Sequence, residues 1–422
     1  MILRNAQLLH LDPPRVERGE LRVVGESLVE PGGGPEEPVL DLEGAWVLPG
    51  LVCGHTHLYS ALSCGMPLPA TPPARFSEML AQVWWRLDRA LDRESIEVSA
   101  AVGGIAALRA GVTTLFDHHA SPNFIEGSLE VLDGPLDALG LRRVLCYEIT
   151  DRGGPTQARA GLAAHHELLA SPSHWRAGLV GAHASFTLSD ETLTAAAGMA
   201  RDAGVGLHIH VAEALDDRAT TGEPLIGRLG RLGALLPDSV LAHCVHLDSE
   251  ELARVADAGA WVSHQPRSNM NNAVGHAPLA AFGDRTMLGT DGIGADMLAE
   301  LQVGWLRAQE DGAPWSPARW TRALATGATL AGRLLGLPLG RLVPGAAADL
   351  VVLDPVPGPP LSAESLAAAL IYRMSAAQVR HVMVGGRWRL WDHQPTGLDA
   401  AEVDRRACTV APALWQRMES LA

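Results

Sequence analysis

The sequence predicts an α/β protein: a (β/α)8 barrel flanked by a small β-sandwich formed from both chain termini. Three observations predict it. The chain has 422 residues, 47% of them hydrophobic and 19% charged, which is too long for one ordinary core and suits a large barrel plus a smaller domain. Between residues 49 and 343, eight short apolar segments alternate with alanine- and leucine-rich helical stretches, the signature of repeated βα units. The two ends carry short alternating strands instead.

Residues 1–48 supply the first part of the sandwich. MILRNAQLLHL and ELRVVG alternate at strand period and are broken by PGGGPEEP. Residues 49–343 follow as the barrel. Its strands are VLPGLVCGH, GVTTLFDHH, LRRVLCYE, AGLVGAHA, GVGLHIHVAE, SVLAHC, AWVSHQP and TMLGTD. Residues 344–422 return to the sandwich with ADLVVLD and VRHVMVGGRWRLW, the latter turning at Gly385-Gly386, and close with a helix. His10 and His381 fall in these terminal strands and read as structural, because metal and catalytic groups need convergent partners.

Composition narrows the function. A net charge of −15 argues against nucleic acid and anionic membranes as partners and leaves a small molecule. No basic, then apolar leader and no long uninterrupted apolar segment is present, which predicts a soluble, cytoplasmic protein. The five cysteines are scattered without a CxxC pair, against a disulfide framework or a thiolate zinc site. All 33 basic residues are arginine. A lysine Schiff base, a phosphate-loop lysine and a carbamylated lysine between two metals are therefore all excluded.

The C-terminal ends of the barrel strands carry His57, His118, His119, Glu148, His183, His210, His243, His264 and Asp291. A barrel brings those ends to one face, where active sites sit. In WVLPGLVCGHTH the strand ends at His55-Thr56-His57, and alternation points both imidazoles the same way, about 7 Å apart. With His210 and Asp291 they form a three-nitrogen, one-carboxylate set for one divalent ion per chain, Zn2+ first, with Fe2+ or Mn2+ as alternatives. His208 faces inward about 7 Å deeper than His210 and reads as a core histidine. Glu213, three residues past His210, is placed to take a proton from a water that such an ion acidifies and hand it to the substrate. Asp291 would also hydrogen-bond the attacking oxygen, and His243 would steady the water or charge on the attacked centre.

Substrate contacts are expected from His183, His264 and Asn269, the last in SNMNN, whose amides suit a heterocycle edge. His118 and His119 receive no role. Trp84 and Trp85 read as helix core, His246 as a loop residue, and His165, His166 and His174 as surface residues.

The joint pattern of PGLVCGHTHLYSALSCGMP, HVAE, LAHCVHLD, SNMNNAVG, GTDGIGADM and the tail LGRLVPGAAADLVVLDP resembles the amidohydrolase superfamily. The branch is that of cytosine, guanine and adenosyl-/methylthioadenosine deaminases and triazine hydrolases, and GHTHLYSALSCGMP with SNMNNAVG look most like SsnA-type aminohydrolases, which are associated with purine metabolism. Gln265 stands where relatives more usually carry Asn or Cys. The resemblance implies a mononuclear metal on His55, His57, His210 and Asp291, catalytic Glu213 and His243, and a homo-oligomer.

The expected activity is hydrolytic deamination of an amino-substituted nitrogen heterocycle, purine- or pterin-like, with release of ammonia. Triazine dechlorination or cyclic amide hydrolysis on the same site is the enzymatic alternative. A non-catalytic scaffold of the same fold is the other, and retention of every ligand and proton-transfer group argues against it.

Overall fold

The computed structural model describes residues 1–32, 37–67, 69, 71–219, 222–312 and 315–421. The middle of PGGGPEEP, residues 33–36, lies outside the described residues. The chain opens with β1 (Ile2–Leu11), β2 (Pro14–Val24), β3 (Ser27–Val29), β4 (Val39–Asp41) and β5 (Trp46–Pro49). The barrel strands are β6 (Leu51–Thr56), β7 (Val112–His119), β8 (Arg142–Tyr147), β9 (Arg176–Gly178), β10 (Val180–Ala184), β11 (Leu207–Val211), β12 (Val240–His243), β13 (Trp261–His264) and β14 (Thr286–Leu288). The chain ends through β15 (Leu350–Leu353), β16 (Val379–Val384), β17 (Arg387–Trp391), β18 (Gln394–Pro395) and the helix Ala400–Ser420.

The terminal strands form one continuous nine-stranded sheet in the order β18-β17-β16-β15-β5-β1-β2-β3, with β4 on β1. The two chain ends meet where β5 and β15 pair antiparallel, Leu350 opposite Pro49. Alternation decides which way each apolar side chain goes. Leu350, Val352 and Met383 join Leu3, Leu21, Val23 and Val47 in a core of their own. Their neighbours Val351, Leu353, Val382 and Val384 pack into the main core with the barrel. Both faces of the central strands β5 and β15 are therefore covered, and WVLP and LVVL are unbroken apolar runs where the outer strands alternate.

All barrel strands are parallel and form two arcs, β6-β7-β8-β9 and β10-β11-β12-β13-β14. β9 and β10 are one strand interrupted at Leu179, whose N–H bonds to Leu145 O. An Ile149–Ala182 bridge ties β8 to β10. On the other side, the N–H groups of Thr290 and Asp291 bond to His55 O at 2.9 and 3.0 Å, closing β14 onto β6. That closure requires glycine at one point: a Cβ on Gly289 would lie 2.8 Å from the His55 nitrogen.

Arg142 joins the barrel to the terminal sheet. It starts β8 fully buried and donates from Nε and Nη2 to Asp349 at 2.8 and 3.1 Å. Asp349 Oδ1 also accepts the Gly385 N–H at 2.8 Å. The C-terminal helix locks the mouth from outside: Trp415 Nε1 donates to Leu62 O and Arg417 Nε to Ala90 O. No described helix is long and apolar enough to cross a membrane.

Candidate metal centre and its cavity

Four side chains converge at the carboxyl end of the barrel. Asp291 Oδ1 lies 3.4 Å from His55 Nε2 and 3.0 Å from His57 Nε2. His57 Nε2 lies 3.1 Å from His210 Nε2. Tautomers decide what this means. His57 Nδ1 donates to His118 O at 2.6 Å and His210 Nδ1 to His183 O at 2.7 Å, so in both neutral rings Nε2 carries a lone pair. Two lone pairs facing each other at 3.1 Å repel unless a proton or a metal cation lies between them. His55 Nε2 is buried with no hydrogen-bond partner at all. Ligands about 2.0–2.1 Å from a tetrahedral zinc are roughly 3.3 Å apart, the spacing seen here. The donor set therefore fits a zinc-sized divalent ion.

The electrostatics agree. Burial pushes His55 down to about 3 and holds His210 well below the usual range, so both rings offer lone pairs. Burial also disfavours charge on His57, but Asp291 outweighs it and raises the group to about 9. Without a metal, the proton on His57 thus lies among His57, His210 and Asp291, the place a divalent ion would take on displacing it. His243 and Asp291 sit at φ 72° and 54°. Left-handed backbone at non-glycine residues costs on the order of 1–3 kcal/mol and collects at functional sites. Here it turns both side chains out of their strand ends toward the cluster.

Above the ligands stand Glu213 and His243, with Glu213 Oε2 3.5 Å from His243 Nε2. Burial, then the charge of Asp291, holds the Glu213 carboxyl well above its ordinary range. A ring nitrogen of His243 lies within 4.8 Å of ligand atoms of His55, His210 and Asp291. The short helix Pro266–Asn271 and the residue after it hold these groups. Ser268 Oγ donates to Asp291 Oδ2 at 2.5 Å, His243 Nδ1 donates to Asn269 Oδ1 at 2.8 Å, and Asn272 Nδ2 donates to Glu213 Oε1 at 3.2 Å.

A cleft opens over the cluster. Of the three residues expected to contact substrate, His183 lines it and His264 and Asn269 do not. His264 packs near Phe282 and Trp320 instead, and Asn269 spends its amide oxygen on His243. Trp84 and Trp85, read as core from sequence, both line the cleft. A π-helical turn, Leu80–Trp84, widens the helix just before Trp85, a feature common at functional sites. His165 is buried rather than on the surface, because its Nε2 accepts the N–H groups of Tyr147 and Gly181.

Several residues that sequence reading left without a role meet here. Glu148 lies 3.4 Å from His118 Nδ1 and 3.1 Å from Arg152, which also pairs with Asp88 at 2.7 Å. Glu148 and Asp88 line the cleft. The position of Glu148 at a strand end was the available signal; Asp88, on a helix between arginines, offered none. His119 turns away and bonds to Ser121 Oγ at 2.9 Å, as alternation against His118 requires.

The profile of the amidohydrolase family matches residues 46–389. The chain is 29% identical to the 5-methylthioadenosine/S-adenosylhomocysteine deaminase of Moorella thermoacetica, over 96% of this chain and 97% of that one. It is 32% identical to the 8-oxoguanine deaminase of Pseudomonas aeruginosa, over 94% and 95%. A zinc-bound adenosine deaminase from Xanthomonas campestris superposes with a TM-score of 0.82 at 22% identity, covering 100% of this chain and 98% of that one.

Proposed function

The chain belongs to the amidohydrolase family, and on that premise we propose that it is a zinc-dependent aminohydrolase acting on a neutral, amino-substituted nitrogen heterocycle, purine- or pterin-like. The reaction exchanges a ring C–NH2 for C=O, consuming water and releasing ammonia. The observation that carries the reading is the convergence of His57 Nε2 on His210 Nε2 at 3.1 Å and on Asp291 Oδ1 at 3.0 Å, with His55 Nε2 3.4 Å from the same carboxylate oxygen. His55, His57, His210 and Asp291 would hold the ion. A divalent ion bound there acidifies a water towards pKa about 7 and acts as a Lewis acid.

The chain's own groups do the rest. His243 keeps its proton on Nδ1 by donating to Asn269, so Nε2 is an acceptor that orients the water. Glu213 receives a proton from that water and delivers it to the ring nitrogen beside the attacked carbon. Its elevated carboxyl makes it able to hold the proton between those steps. Asp291 keeps Oδ2 on Ser268 and would take the second proton of the added water and pass it to the departing amino group, which leaves as ammonia.

The cleft supports the substrate class. Phe76, Trp84, Trp85 and Phe186 offer ring faces for stacking. Asp88, Glu148, Asp216 and Asp217 line it, and no arginine does among the described residues. Arg152, behind the lining, is already taken by Asp88 and Glu148, so a phosphate would meet carboxylates there, and a base or nucleoside fits better than a nucleotide. The acidic whole-chain balance of −15 likewise fits a small-molecule partner. The test is a panel of aminopurines, their nucleosides and aminopterins assayed for ammonia. Release from at least one, abolished by chelation and restored by Zn2+, is the expected result; turnover that survives complete metal removal overturns the reading.

A further inference from the structure

Each imidazole in the proposed metal set needs its second nitrogen fixed, because that hydrogen bond sets which nitrogen carries the lone pair. His57 and His210 are fixed by main-chain carbonyls. His55 is not. Its Nδ1 lies 2.8 Å from Nε2 of His208, a side chain two residues below His210 on β11. Both rings are buried, at 0% and 1% exposure. For His55 Nε2 to offer a lone pair, Nδ1 must donate. His208 Nε2 must then accept, leaving its proton on Nδ1, which has no partner. The backbone of His208 is itself pinned, since its carbonyl accepts His118 Nε2–H at 3.1 Å.

We propose that His208 is a positioning residue for the metal: it fixes the tautomer and ring plane of His55. The sequence reading made it a core histidine, for which only volume would matter. The geometry assigns it the acceptor role that carbonyl oxygens play for the other two rings. An imidazole is the only one of the three acceptors that a substitution can remove, so it is also the one that can be tested. The proposal rests on the metal set proposed above.

The experiment is zinc affinity by chelator competition, with the Co2+ absorption spectrum as a second readout, on full-length wild type and three variants. His208→Leu keeps volume without an acceptor. His208→Gln places an amide oxygen near the former Nε2, and His208→Asn is too short to reach. Leu and Asn variants are expected to bind zinc about 10–100-fold more weakly and to alter the Co2+ spectrum, with Gln recovering most of the affinity. Should the Leu variant not fold, the Gln–Asn comparison decides alone. Wild-type affinity in a folded Leu or Asn variant overturns the proposal, as does equal loss in Gln and Asn. A wild-type protein that binds no zinc overturns the metal set itself, and this proposal with it.

Discussion

Glu213 and His243 face each other at 3.5 Å over ligands that sequence spacing already brought together. Glu213→Gln removes the proton carrier while leaving the four ligands intact. It is expected to keep its zinc, by elemental analysis, and to lose roughly 100- to 10,000-fold in kcat; loss of zinc together with activity would make Glu213 a ligand instead. The residues proposed as ligands could be grouped from sequence because alternation fixes which side chains share a face of one strand, as for His55 and His57. What fills the space opposite them was not legible. His208, His118 and Glu148 interact across the barrel interior, at sequence separations no periodicity records. Asn269 and His264 carried the right chemistry for a substrate edge but face protein groups, because a residue type does not say which partner it meets.

At the scale of elements, the helix Pro266–Asn271 and Asn272 hold Asp291, His243 and Glu213 at once. Polar SNMNN reads as a loop over the mouth, since Ser and Asn favour turns. Pro266 at the first helical position and the close partners below make it a helix instead. Its side chains point at the machinery, so their loss should act on chemistry. Asn272→Ala and Asn269→Ala are each expected to lower kcat roughly 10- to 100-fold, the worth of a hydrogen bond to a charged or catalytic group, with KM little changed. Steady-state kinetics on the substrate found in the panel checks this; a raised KM at unchanged kcat would show that these amides read the substrate. The closing strand makes a second element-scale prediction. Gly289→Ala places a methyl group against the His55 backbone and is expected to weaken zinc binding and lower the melting temperature, measured by chelator competition and thermal unfolding.

Over the whole molecule, the two chain ends and the barrel are one body because β5 pairs with β15 and Arg142 reaches Asp349. The alternation of short apolar segments made the barrel legible, and the β character of both ends was equally plain. The Arg142–Asp349 link was not, because a pair of arginines opening a strand reads as exposed charge. Asp349→Ala leaves that buried guanidinium with only Glu26, at 4.0 Å, as a charged partner and is expected to cost about 3 kcal/mol, visible in denaturant unfolding; an unchanged midpoint would show the link to be dispensable. The central claim, that this fold positions one metal ion for deamination, has one most direct measurement. It is zinc content per chain and ammonia release followed together through chelation and reloading. The account predicts about one zinc per chain, with activity lost and regained in proportion to it. Full ammonia release from metal-free protein would contradict it.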